Sequence, residues 1–451
     1  MIRLLLADLR HHGGSWAWTL AIAVVAASCI AGQFRVVHGA LALARSTGDA
    51  DIIESANVIS GLLITGVVLS ATAVLSSTSG LAVSQREREH GLWKALGMSP
   101  STVRGLILGQ LLALGLLASL VSVPLSIPLG RLLLDQLVSD GVFPPTSSLR
   151  WEAADLIWTA LISAGTLVLG GRSAARRAAC APEAVLLRGT GGGGAPGRDT
   201  GRIVLRILGV VIAAAGWVAG LVVITVSDDG EAGIQAVFNG SLSALVLLCL
   251  LCAWITPLLE RMVAALVPGR GVAWHVAGRT CALESRRSSA TVLPFVVAIG
   301  LVAIVLGVAA GLPGASSSAF FSLFGLPFLV AWTGGVAVIA MSAGQRQRDA
   351  ALLRAAGAEE RDVLLMEVLE GVIHAVAACL IGLLVALAAA VLMARLLNRS
   401  VVEMLMGFAN GPTAIVCGAT LLTTCLAVVA SSRVSALVGR QSPAQVLRAR
   451  E

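Results

Sequence analysis

Tyrosine is absent from the 451 residues, aromatic side chains make up only 4%, and charged residues only 13%. A soluble domain carries about 25% charge, so an ordinary water-facing surface cannot be built from this chain. Lysine is nearly missing as well. Lys94 is the single lysine, and arginine supplies the rest of the basic charge. No Gly-Lys-Ser/Thr ending follows the glycine-rich run GTGGGGAPGRDTG at 189–201. That run therefore reads as a flexible linker rather than a phosphate cradle. The eight cysteines (Cys29, Cys180, Cys249, Cys252, Cys281, Cys379, Cys417 and Cys425) form neither a disulfide framework nor a metal-ligand spacing. Cys249 and Cys252 lie inside an apolar run, where they read as small membrane-helix residues rather than a redox pair. Ala26 to Cys29 has some likeness to a lipoprotein cleavage box but lacks its leucine and runs into more apolar sequence, so the first apolar run is expected to stay as a span.

What the chain does have is apolar length. It is 57% hydrophobic, with a mean hydropathy of +0.90, and a membrane helix needs about 20 apolar residues. The expected fold is all-α and polytopic, with ten spans at about 15–34, 57–83, 106–134, 153–171, 203–226, 241–266, 290–312, 319–343, 368–396 and 412–430. Trp16 and Trp18 are placed at headgroup level. Ser99-Pro100 reads as an N-cap with proline at the first helical position, and Pro124 and Pro128 should kink the helix that follows. Residues 35–56, 138–151 and 267–289 read as loops.

Ten spans put both termini on one side. The loops and adjoining span ends on that side hold 26 of the 32 lysines and arginines, and those on the opposite side hold only Arg35, Arg45, Arg131, Arg150, Arg395 and Arg399. The positive-inside rule then makes the terminal side cytoplasmic. The net charge of +7 belongs to these membrane-flanking arginines and implies no nucleic acid.

The pattern is duplicated. QREREHGLWKALG at 85–97 recurs as QRQRDAALLRAAG at 345–357, an offset of 260. APEAVL at 181–186 recurs as SPAQVL at 442–447. Each half reads span, loop, span, charged cassette, span, loop, span, basic tail. The expected organisation is therefore a first four-span unit at 1–202, two linking spans at 203–267, and a second four-span unit at 268–451. A parallel repeat of this kind predicts pseudo-twofold symmetry about the membrane normal.

Each cassette reads as a short helix closed by a C-terminal glycine. In the first, Leu92, Trp93 and Leu96 are expected to form an apolar stripe while Arg86, Arg88, Glu89 and Lys94 stay solvated. A topology signal requires arginine only, not the recurring glutamine, leucine, alanine and glycine, so a docking helix is the sharper reading. Glu367, Glu370 and His374 share one face at the start of the ninth span, which makes them a candidate intramembrane polar site.

The cassette residues Arg86, Arg88, Glu89, Leu92, Lys94, Ala95, Leu96 and Gly97, repeated as Arg346, Arg348, Asp349, Leu352, Arg354, Ala355, Ala356 and Gly357, resemble those of FtsX-like ABC transporter permeases of the macrolide-exporter and lipoprotein-release type. The tail motifs are similar to the family's ending. The resemblance implies two FtsX-like four-helix repeats in one chain, located in the bacterial cytoplasmic membrane. It implies ATPase-coupling roles for Arg86, Arg88, Glu89, Leu92, Trp93, Lys94, Leu96 and Gly97, and for Arg346, Arg348, Asp349, Leu352, Leu353, Arg354 and Gly357. The implied partner is a separate ABC ATPase, a homodimer that carries the ATP and magnesium. This chain itself would bind no cofactor and catalyse nothing, and its other partners would be membrane lipids. The implied function is export of a hydrophobic or amphipathic compound, peptide or lipid. The alternative is a mechanotransmission or signalling component that controls an extracytoplasmic hydrolase or a sensor kinase. No outer loop is long enough to fold as a domain of its own, which favours recognition in or beside the membrane.

The charge count makes a direct prediction. Reporter fusions at the 85–97 and 345–357 cassettes should both report the cytoplasm, and fusions near residues 48 and 399 the opposite side. A cassette reporting outside would contradict the ten-span arrangement.

Overall fold

The computed structural model describes residues 13–47, 50–141, 143–181, 200–226, 230–266, 271–283, 285–311, 317–409 and 412–438. Among them all regular structure is helical. In chain order the helices are α1 (Gly13–Thr47), α2 (Ala50–Gln85), α3 (Glu87–Ala95), α4 (Pro100–Ser139), α5 (Ala153–Cys180), α6 (Thr200–Val226), α7 (Gly230–Ala265), α8 (Val272–Leu283), α9 (Ser285–Gly311), α10 (Ser317–Met341), α11 (Ala343–Ala355), α12 (Glu360–Leu396), α13 (Val401–Ala409) and α14 (Pro412–Val438). Nine are long and apolar enough to cross a membrane, namely α1, α2, α4, α5, α6, α7, α9, α10 and α12. The tenth expected span is α14, apolar over the shorter stretch Ala414–Ala430. The chain is an all-α, multi-pass membrane protein.

Two expected loops are helical instead. Of residues 35–56, those at 35–47 continue α1 and those at 50–56 begin α2. Arg35, expected in a loop, is buried: its Nε donates to Ser126 Oγ at 2.9 Å and a terminal nitrogen donates to the Val123 carbonyl at 3.2 Å. A paired arginine does not end a helix, so α1 continues to 35 residues, about 52 Å, against a hydrocarbon core of about 30 Å. Within 267–289, α8 and the first turn of α9 form where only a basic loop was expected. Trp274 on α8 donates its indole N–H to the Ala264 carbonyl at 3.0 Å, tying α8 back to α7.

Helix α4 starts as its sequence dictates. The Ser99 hydroxyl accepts from the Thr102 backbone N–H at 3.3 Å, and Pro100 follows at the first helical position. The helix then runs through Pro124 and Pro128 for 40 residues. Hydroxyl groups inside the apolar helices bond back along their own helix, as Thr78 does to the Val74 carbonyl at 3.0 Å and Ser122 to the Ser119 carbonyl at 2.7 Å. A membrane helix satisfies polar side chains this way without exposing them to lipid.

The chain divides into two compact units, one holding residues 1–203 and 312–334, the other 204–311 and 335–451. In the first, α4 packs against α1 and α5, and α5 against α2. Backbones approach closely where residues are small. A Cβ placed on Gly115 of α4 would sit 2.4 Å from the Ala164 Cα of α5. At one end of this unit, His38 of α1 lies 2.9 Å from Asp155 of α5, and the Arg35 guanidinium lies over the Trp151 ring. In the second unit α12 is central, packed on α7, α8, α9 and α14. Helix α6 leaves a wide face of Leu205, Leu208, Val211 and Ile212 exposed, as a lipid-facing helix does.

Overpacking a close helix contact costs about 1–3 kcal/mol. Gly115→Val should therefore lower the thermal midpoint of the detergent-purified protein. Gly105→Ala, with open space around its Cβ, should leave the midpoint unchanged. Equal midpoints for the two variants would contradict the tight α4–α5 contact.

Candidate coupling site

Each cassette forms a short helix laid off the end of a long one. After α2 the backbone turns at Arg86 and α3 begins; after α10 it turns at Ser342 and α11 begins. Both close in the same way. Gly97 has φ +91° and Gly357 φ +98°, a region that L side chains avoid. The Gly97 N–H donates to the Lys94 carbonyl at 2.8 Å and the Met98 N–H to the Trp93 carbonyl at 3.1 Å. The matching bonds in the second copy run from Gly357 to Arg354 and from Ala358 to Leu353, both at 3.0 Å. This 5→2 and 6→1 pair is the Schellman closure. It turns the chain straight into α4 in one copy and α12 in the other.

The first arginine of each cassette is buried rather than solvated. Arg86 is 3% exposed and so is Arg346. Arg86 lies over the Trp16 ring at 5.3 Å and the Trp93 ring at 5.9 Å, and pairs with Glu89 at 2.5 Å. Trp16 is thus buried on a cation rather than placed among headgroups, whereas Trp18 is half exposed. Lys94 is not free in solvent either: its Nζ donates to the Ala181 carbonyl at the end of α5. A buried guanidinium needs such partners, because an unpaired one costs several kcal/mol. Recurrence of arginine did not single out the anchor, because Arg88 recurs as Arg348 without being buried; its aromatic partner in α1 carries no local motif.

The apolar stripe splits. Leu92 is 49% exposed and Leu352 57% exposed. Their neighbours point inward: Trp93 lies edge-on to His90 at 5.2 Å, and Leu353 packs on a small core of Ala277, Cys281, Met366 and Ile373. Leu96 is also exposed, Arg88 is exposed and Arg348 half-buried. Arg354 pairs with Glu360 at 3.7 Å on the surface. Glu89 and Asp349 are half-buried. Each cassette therefore holds one inward anchor and presents leucine outward. The tail motifs at 182–189 and 442–450 lie outside the described residues.

Glu367, Glu370 and His374 are buried against protein rather than reaching headgroups, and two further charges join them. His374 Nδ1 lies 2.8 Å from Glu260 Oε1 of α7, and His374 Nε2 lies 3.5 Å from Glu370 Oε1. Arg346 Nε lies 3.5 Å from that same Glu370 oxygen. All five groups are at most 5% exposed. Glu260 went unread in the sequence because it closes an apolar span. It is nonetheless an acid in a membrane helix, the same signal that singled out Glu367. No group of three or more metal-binding side chains occurs among the described residues. The carboxylates face different ring nitrogens, so the donors form a chain rather than converge on a point.

A cation over an aromatic ring in a desolvated site contributes about 2 kcal/mol. A double-mutant cycle on thermal stability with Trp16→Leu and Arg86→Met should give a coupling of about 1–2 kcal/mol. Additive effects would contradict the anchor.

The duplicated architecture can be set beside known proteins. No curated protein matches this chain. A family model, FtsX-like permease C-terminal, matches it twice, over residues 61–180 and 329–440, together just over half of the chain. Each match takes in one cassette, from within the long helix before it to the helices after it. The chain is a member of the FtsX-like permease family and of the ABC transporter permease type, with two copies of the family's unit.

Proposed function

We propose that this permease couples ATP hydrolysis on a separate cytoplasmic ATPase to export of a hydrophobic or amphipathic compound, peptide or lipid across the bacterial cytoplasmic membrane. The observation that carries this reading is the matched presentation of Leu92 and Leu352. Both are exposed on short helices whose first arginine is buried and whose ends are closed by glycine. An exposed leucine beside charged residues on a fixed helix suits a knob for a partner's groove. Two such knobs suit an ATPase homodimer, which would bring the ATP and magnesium. In this reading the cassettes and both termini are cytoplasmic, in line with the arginine distribution, and the surrounding partners are lipids.

Movement at a cassette has a direct path into the membrane. The Schellman closure leaves three residues, Leu96, Gly97 and Met98, between α3 and the Ser99 cap of α4, and α11 leads as directly into α12. ATP-driven closure of the partner would tilt the short helix and carry α4 or α12 with it. Substrate would enter from the lipid side, because the long helices rather than folded domains form the far face.

One feature favours the second reading, a mechanotransmission component acting on an outside hydrolase or a sensor kinase. Helices α1 and α2, of 35 and 36 residues, are each longer than a bilayer crossing requires. They could carry motion beyond the membrane to a protein partner.

Leu92→Glu combined with Leu352→Glu should abolish co-purification of the ATPase while membrane insertion and yield remain. Undiminished co-purification would overturn the docking reading. A deletion strain should become more sensitive to at least one amphiphile or membrane-active peptide. Unaltered sensitivity across such a panel, with docking intact, would favour the signalling reading.

A further inference from the structure

The eight cysteines follow no spacing in the chain, yet two of them meet across helices. Cys379 lies on α12 and Cys417 on α14, 38 residues apart. The Cys379 thiol donates to the Cys417 backbone carbonyl at 3.8 Å, and the two thiols are within hydrogen-bonding reach of each other. Other cysteines in the second unit have different neighbours. Cys252 faces the Thr256 hydroxyl at 3.2 Å, and Cys425 the Val368 carbonyl at 4.0 Å.

The register of the two helices sets this meeting. A Cβ placed on Gly371 of α12 would lie 3.3 Å from the Cys425 Cα of α14, so those two Cα atoms are at most about 5 Å apart. A disulfide joins residues whose Cα atoms lie about 4–7 Å apart. Cys379 follows Gly371 by eight residues, and Cys417 precedes Cys425 by eight. The contacts pair rising numbers on α12 with falling numbers on α14, so the helices are antiparallel and both steps move the same way, by about 12 Å along each axis. The close approach at Gly371 therefore extends to the two sulfurs, as the 3.8 Å contact records. The first copy has no equivalent. At the offset of 260 that aligns the cassettes, Cys379 corresponds to Ser119, and at the offset of 261 that aligns the tails, Cys417 corresponds to Leu156. Ser119 bonds within its own helix, to the Leu116 carbonyl at 2.8 Å.

The pair is reached from lipid rather than from water. Cys379 lies close to the midpoint of the 37-residue α12. Both cysteines are half-buried. Leu383, one turn beyond Cys379, and Leu421, one turn beyond Cys417, are exposed on the apolar surface, so the seam holding the sulfurs opens toward acyl chains. A charged oxidant dissolved in water is kept out by the cost of entering hydrocarbon. A lipid-soluble quinone meets no such cost.

We propose that Cys379 and Cys417 form an intramembrane dithiol site, oxidised by a lipid-soluble quinone to a disulfide that staples α12 to α14. Two S–H bonds break and one S–S bond forms. The two electrons and two protons pass to the two carbonyl oxygens of the quinone, which leaves as the hydroquinone. The staple fixes α14 against the helix into which the second cassette leads, and the first copy carries no such constraint.

The test uses the purified, reduced full chain in lipid nanodiscs and needs no ATPase, so its outcome is independent of the docking reading. Ubiquinone-1 is added, the protein is denatured, and free thiols are counted by the mass shift with N-ethylmaleimide. All eight cysteines should be labelled before the quinone and two fewer after it, with a linked peptide pair joining 379 to 417 and one hydroquinone formed per disulfide. Oxidised glutathione at the same concentration should leave the pair reduced. Cys379→Ser and Cys417→Ser should each keep every remaining thiol free after the quinone, whereas Cys425→Ser should still lose two. Full labelling after quinone treatment, a disulfide joining either sulfur to another cysteine, equal closure by oxidised glutathione, or loss of two thiols in Cys379→Ser or Cys417→Ser would overturn the proposal.

Discussion

A guanidinium held away from water fixes each cassette, and much of the arrangement follows from that requirement. Arginine retains its charge in any such environment, so the surrounding helices must supply the compensation. In the first copy the compensation is aromatic, from Trp16 and Trp93, with Glu89 alongside. In the second it is the Glu370 carboxylate one helix away. The same position in the repeat is satisfied by two different chemistries. A residue that a topology signal needs only for its charge has become an internal fastener.

This anchoring explains how a short, charged helix keeps a defined orientation at the end of a membrane helix. Helices of nine and thirteen residues are marginal at best alone in water. The inward arginine, the inward Trp93 or Leu353, and the glycine closure set the rotation of the helix, and that rotation turns Leu92 and Leu352 outward. The exposed side is therefore a consequence of the buried one.

The ten apolar runs, the duplication and the glycine ends could be read from the sequence because each rests on local composition or recurrence. The interior polarity could not. Arg35 lengthens α1 by bonding to Ser126, 91 residues away in the chain, and Glu260 meets His374 across 114 residues. Neither pairing has a local pattern. Arg86 looked solvated because its neighbours Glu87, Arg88 and Glu89 are charged; only the return of α1 brings Trp16 over it. The apolar stripe of the first cassette failed for a related reason. Residues 92 and 93 are 100° apart on a helix, so they cannot share a face, and the anchor decided which one turned inward.

Site-specific photo-crosslinking tests the central claim most directly. A photoreactive residue placed at position 92 or 352 in cells should capture an ATP-binding subunit from both positions, and one placed at the lipid-facing Leu208 should not. Capture of lipid alone at positions 92 and 352 would contradict the account.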